Sequence, residues 1–151
     1  MPAADLDQVL EAGRRAPSSQ NWQPWDFVVV TERAELAQLA TVWQGAGHVA
    51  EAAAAVAIIA PIPADERRAA ITQYDLGQAT VSMMIAAADL GIGSCHAAVR
   101  DQDKARRLLR FPEDRTCAYL ISFGYPAARP LAPVANPDRR PFDQMVHREH
   151  W

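Results

Sequence analysis

Residues 66–90 carry the longest helical pattern in the chain, and they limit what it can fold into. Ile71, Gly77, Val81, Met84, Ile85 and Ala88 fall on more than one face of that helix. A helix that is apolar nearly all round has to be buried on several sides. In a chain of 151 residues, one of those sides is expected to be a subunit interface. Gly77, Ala79, Ser82 and Ala86 are small enough to admit a partner helix, and Ala79→Arg is expected to break that contact. Gly91 follows the last periodic residue and Gly93 comes two later, which suits a helix C-terminus.

Strands and helices alternate loosely around this segment. Asp5 is placed to cap a first helix running to about Arg15, with Leu6, Val9 and Leu10 on one face. Pro17 ends it, because the residue before a proline is pushed out of the α region. Residues 26–31 (DFVVVT) read as a buried strand, and Thr31 can cap a second helix through about Trp43. Residues 53–60 (AAAVAIIA) read as a second core strand, closed by Pro61 and Pro63. Residues 94–99 form a short extended segment, Asp101 caps a short helix to about Arg110, and residues 116–124 (TCAYLISFG) make a third strong strand. The chain from 127 to 151 is Pro- and Arg-rich, an arm that orders only against another surface such as a partner subunit. The pattern predicts one α+β sandwich domain over residues 1–151.

Composition narrows the function classes. Hydrophobic residues make up 50% of the chain, enough for a packed core. A formal net charge of −3 argues against a broad electrostatic footprint for nucleic acid or an anionic membrane. The most apolar run, 52–63, is too short to span a bilayer, and the acidic N-terminus (Asp5, Asp7, Glu11) has no signal-peptide pattern. Cys95 and Cys117 lack CxxC spacing and read as reduced thiols of a cytoplasmic protein. Cys95 and His96 are not expected to act as a pair, because adjacent strand residues point to opposite faces. His147 and His150 have HxxH spacing but no evident third ligand, so no metal is expected.

The stretch with the most chemistry is 16–25 (APSSQNWQPW). It is a proline-braced loop with hydroxyls, carboxamides and two indoles, feeding directly into a core strand. Asn and Gln both donate and accept, which suits a flat heterocycle carrying N–H and C=O groups. The same Ser and Asn residues also suit a plain helix-to-strand connection.

The motif APSxxNxQPW followed by a hydrophobic strand resembles the signature loop of the nitroreductase family. Two further stretches match in order. Gly77-Gln78-Ala79 through Ala88, then Leu90-Gly91-Ile92-Gly93-Ser94-Cys95, look like the family's central helix and the turn after it. Tyr119 to Pro126 (YLISFGYP), then Arg139-Arg140-Pro141 and Trp151, look like its last core strand and C-terminal arm. The resemblance implies a mixed or antiparallel sheet sandwiched by helices, with the long central helix at an obligate homodimer interface. It implies FMN as cofactor, at sites built from both chains. Pro17, Ser18, Ser19 and Asn21 would contact the flavin, with Gln23 as a further candidate. Backbone N–H groups near Ala98 and Val99 would face flavin N5. Arg139 or Arg140 would reach the phosphate, which a guanidinium can bind bidentately. His96 could line the pocket. No side chain is an obvious acid or base, so catalytic residues proper are not expected.

The implied activity is an FMN-dependent oxidoreductase that takes hydride from NADH or NADPH and passes it to nitroaromatic, quinone or related small acceptors by a ping-pong sequence. The alternatives are a non-catalytic flavin-binding or sequestering protein of the same fold, and a ligand-free dimerisation domain. The 15 residues before Ala16 do not contain the Arg-Arg-Ser-x-Arg pattern that supplies phosphate contacts in typical members, which leaves three readings open: the chain starts downstream of the native N-terminus, it binds FMN weakly, or it has lost or changed its ligand.

Overall fold

The computed structural model of the chain describes residues 1–127 and 130–151. Its elements in chain order are helix α1 (Ala3–Arg14), strand β1 (Asp26–Val30), helix α2 (Arg33–Leu39), strand β2 (Ala54–Pro61), helix α3 (Glu66–Asp89), strand β3 (Gly93–Ala98), helix α4 (Gln102–Leu109) and strand β4 (Arg115–Gly124). The strands form one sheet in the order β1-β2-β4-β3, with every neighbouring pair antiparallel. The α+β sandwich is as expected, and the sheet is antiparallel rather than mixed.

Strand β2 shows why its sequence has no polar alternation. Val56, Ile58 and Ala60 pack on one face with Val9, Leu76, Ala79, Met83 and Ala87 of α1 and α3. Ala55, Ala57 and Ile59 pack on the other with Leu36, Leu39, Val42, Val49 and Ala105. Side chains alternate across a strand, so a strand covered on both faces must be apolar throughout.

Helix α3 is built from both ends. Asp65 caps it, accepting the Arg68 backbone N–H at 2.7 Å. At the far end Gly91 takes φ 72°, the Gly91 N–H donates to Ala88 and the Ile92 N–H to Ala87, which is a Schellman closure. Ile92 is buried beside Ala87, completing the apolar contact of that motif. Thr72, Leu76, Ala79, Met83 and Ala87 face inward. On the outer side Tyr74, Val81 and Ile85 are 70%, 50% and 65% exposed. Ala79 therefore does not lie on the face left for a partner, contrary to the expectation from its small size. It is fully buried in the chain's own core, so Ala79→Arg would disrupt folding rather than test assembly. Helix α1 crosses α3 closely at Gly13, where an added Cβ would lie 2.7 Å from Met83 Cγ.

Other boundaries differ from expectation for local reasons. Helix α1 starts after Pro2, whose ring-fixed φ (−59°) suits a helix start, so Asp5 sits in the first turn and is not the cap. There it faces the helix dipole favourably and accepts from the Tyr125 hydroxyl at 3.2 Å. Helix α2 starts after Glu32, not Thr31, and ends at Leu39. Trp43 is extended (φ −162°, ψ 144°), and the chain continues as 3-10 turns at Ala40–Val42 and Gln44–Glu51, the latter interrupted in sequence by Gly45 and Gly47.

Strand β4 contains a bulge. Ile58 pairs with Tyr119 but Ile59 pairs with Cys117, leaving Ala118 as the extra residue. This brings Cys117 and Leu120 into the same core although they are three residues apart. The pairing of β3 with β4 also ends there, at Ala98 opposite Tyr119. Beyond it, side chains of α4 replace a strand neighbour. Gln102 accepts from the Cys117 N–H (3.0 Å) and donates to the Cys117 carbonyl (2.8 Å), and Arg106 donates to the Arg115 carbonyl (2.7 Å).

Of the expected arm at 127–151, residues 128 and 129 lie outside the described ones. Every residue from 130 to 151 is exposed, including Val134, Phe142 and Trp151. Among the described residues, no helix is long and apolar enough to cross a membrane.

Candidate functional site

The loop between α1 and β1 is held in an unusual backbone shape. Gln20, Asn21 and Gln23 all have positive φ (54°, 58° and 53°), a region that non-glycine residues rarely occupy. Asn tolerates it and Gln less so, hence the segment needs outside support. Some of that support is local: the Ser18 hydroxyl accepts the Gln23 N–H at 2.9 Å, and the Gln23 carboxamide donates to the Asn21 carbonyl at 3.0 Å. Ser18 and Gln23 thus brace the turn, the role the plain-connection reading gave such residues. Pro17 and Asn21 are exposed, and among the described residues the Asn21 carboxamide makes no hydrogen bond.

The rest of the support comes from α3. Asp75 is fully buried, and its Oδ1 accepts from both the backbone N–H (3.0 Å) and the hydroxyl (3.1 Å) of Ser19. Gln78 approaches the same oxygen at 3.4 Å. Oδ2 has no partner among the described residues. A buried carboxylate without full compensation is costly, so its presence points to what it holds. Arg68 adds a second clamp, stacking 4.4 Å over the Trp22 ring. Neither Asp75 nor Arg68 was singled out from sequence. The signal for Asp75 was present, as a carboxylate directly before the core residue Leu76 in the middle of the long helix.

The other expected site segment is on the opposite flank of α3. Residues 68, 75 and 78 meet the loop, whereas Gln73, Gly77, Thr80 and Met84 line a cavity of about 370 Å³ with His96 and Tyr119. At 100° per residue these two sets lie on opposite sides of the helix. The Tyr119 hydroxyl closes one end by donating to Gln73 Oε1 at 2.6 Å. Ala98 is half-buried at the end of β3, and the Val99 side chain lies in the core while its carbonyl accepts from Gln102. Within one chain, then, Pro17–Gln23 and Ala98–Val99 are not brought onto one surface. Arg139 and Arg140 stand apart from both, donating to the Asp138 and Gln144 carbonyls at 2.9 Å each.

A further polar pair lies on the far face of the sheet. His48 Nδ1 is 2.8 Å from Ser122 Oγ, and the Ser122 hydroxyl donates to the Cys95 carbonyl at 3.2 Å. The ring therefore donates through Nδ1–H, and Nε2 is left buried without a partner. Burial, and then the charge of nearby His96, hold His48 below its ordinary range. Cys95 is exposed, whereas burial pushes the Cys117 thiol up to about 12, leaving it inert at neutral pH.

Two predictions follow from these contacts. Asp75→Ala removes the acceptor of two Ser19 donors, which should cost about 1–3 kcal/mol and raise amide exchange across residues 17–25 by about tenfold or more. Unchanged exchange in that peptide would show that the loop is held by other means. For His48 the pKa is lowered in the folded state, so the unfolded chain binds the proton more tightly. Its contribution is complete above about pH 6.5 and is lost as pH falls below that value. His48→Gln should flatten the fall in melting temperature on that acid side, and a parallel curve would count against the assignment.

Comparison with known proteins agrees with this architecture. The family model described as "Nitroreductase family" matches residues 1–125. A protein of Archaeoglobus fulgidus, whose name pairs NADH dehydrogenase with NAD(P)H nitroreductase, is 31% identical over 97% of this chain and 86% of its own length. Among solved structures, a protein of Bacteroides thetaiotaomicron named in the same way has 26% identity and a TM-score of 0.82, covering all of this chain and 87% of that one. An FMN-dependent nitroreductase of Clostridium difficile has 25% identity and a TM-score of 0.83, over all of this chain and 90% of its own. Match and fold coincide over the sandwich, the pinned loop and the central helix, and the chain belongs to the nitroreductase family.

Proposed function

We propose that this protein is an FMN-dependent NAD(P)H oxidoreductase acting as a cytoplasmic homodimer on nitroaromatic, quinone or related small electron acceptors. The observation that carries the reading is the strained loop at 20–23, pinned by a buried carboxylate and presenting an unengaged Asn21 carboxamide. Strain of this kind persists where the surroundings over-determine it, and it clusters at ligand sites. The residues present fit a flavin: Asn21 offers both a donor and an acceptor to a ring edge that carries both. Pro17, Ser18 and Ser19 would contact the flavin as a rigid platform, and Ala98 and Val99 would offer backbone near N5. Bound FMN supplies the two-electron hydride chemistry. The chain's part is to orient the ring and keep the loop from relaxing. No acid or base side chain is assigned a step. Two unpaired thiols, one of them exposed, fit a reducing compartment.

Dimerisation supplies what one chain lacks. Because the loop and β3 flank α3 on opposite sides, a ligand touching both would take one from each protomer. Tyr74, Val81 and Ile85 give the exposed apolar stripe for such an interface. An obligate interface of this kind buries on the order of 2,000 Å² or more.

Purified protein supplied with FMN should be yellow, and NADH or NADPH should bleach the flavin band under anaerobic conditions. A protein that takes up no FMN overturns the reading. Ile85→Arg should shift light scattering from dimer to monomer and lower flavin uptake together, and a flavin-bound dimer carrying that change would overturn the placement of the interface.

A further inference from the structure

A cleft of about 360 Å³ lies between the pinned loop and the first turns of α3, lined by Ser19, Gln20, Asp65, Arg67 and Arg68. Its two arginines stand out when the basic residues near the loop are compared. Arg14 and Arg15 are both committed to Glu11, at 2.6 and 2.5 Å, and hydrogen bonds from Arg14 and then Arg15 pull the Glu11 carboxyl down to about 2. Arg139 and Arg140 are exposed on the tail and turned to local carbonyls. Among the described residues, neither Arg67 nor Arg68 has a carboxylate within ion-pair distance, although Asp65 lines the same cleft. The Asp65 carboxylate is occupied in capping the helix, accepting the Arg68 N–H. Arg68 is also positioned, its guanidinium carbon lying over the Trp22 ring 4.4 Å from the centroid. Two guanidiniums with unused donors, one held in place, beside a loop that suits a nucleotide-like heterocycle, match a planar, multiply accepting anion.

We propose that this cleft is a phosphate site for a nucleotide, with Arg67 and Arg68 as its ligands. The inference rests on the flavin reading above for its choice of ligand. The shared chemistry is a phosphate monoester, which either FMN or the 2′-position of NADPH can supply. If FMN supplies it, the pair anchors the cofactor from the loop side. If NADPH supplies it, the pair sets preference for NADPH over NADH.

The experiment compares wild type with Arg67→Gln, an exposed position whose side chain makes no hydrogen bond or ion pair among the described residues, and with Arg67→Lys as the charge-keeping control. Four ligands are titrated: FMN, riboflavin, 2′-AMP and adenosine. Loss of about tenfold in FMN affinity with riboflavin unchanged assigns the cleft to the cofactor's phosphate. The same loss for 2′-AMP, with FMN and adenosine unchanged, assigns it to the nicotinamide nucleotide. In either case Arg67→Lys should recover part of the loss. Changes under about twofold for both phosphates overturn the proposal. If wild type takes up neither flavin, the proposed function fails, and the 2′-AMP arm still decides the cleft.

Discussion

The contact between Asp75 and Ser19 is the one on which the candidate site depends. It joins a segment with three left-handed residues to the longest helix of the fold. Without it the loop could relax, because its internal bonds run between residues at most five apart. Helix α3 can carry such a load because its inner stripe is packed against the sheet and both its ends are closed. A carboxylate placed there is desolvated, and that makes the bond strong as well as demanding. The helix thus has three functions on three flanks: core, loop anchor and cavity wall. The fourth flank is exposed and apolar.

Much of the fold was legible because it rests on short-range rules. The closure of α3 at Gly91 follows from glycine's access to positive φ, and the Asp101 cap of α4 is realised, its side chain accepting the Lys104 N–H at 2.9 Å. Strand β2 was readable because burial on both faces leaves no alternative to apolar residues. The misses came where two signals competed. Asp5 and Thr31 are good capping residues, but Pro2 and Glu32 take the N-cap positions. The 3-10 turns over Gln44–Glu51 have neither a helical nor a strand period to announce them.

The site was legible as a motif and not as a geometry. The loop residues were identifiable by type, but the Ser18 and Gln23 side chains hydrogen-bond within the turn itself. Asp75 acts across 56 residues of sequence separation, which no local pattern reveals. Arg139 and Arg140 attract notice as an adjacent basic pair, yet in one chain they reach only their own backbone. Arg67 and Arg68 look like an ordinary solvated first turn until Trp22 is folded against Arg68.

The bulge at Ala118 has a consequence for how the sheet ends. Past that residue β4 has lost β3 as a neighbour, and its backbone would be an open template for a strand from another molecule. Gln102 and Arg106 occupy that edge with side chains, taking up the backbone groups of Cys117 and the carbonyl of Arg115. The sheet is thus kept from growing sideways by a carboxamide and a guanidinium on α4. Closure of the edge rests on two polar side chains of α4, one of which, Arg106, also lies over the core residue Phe111.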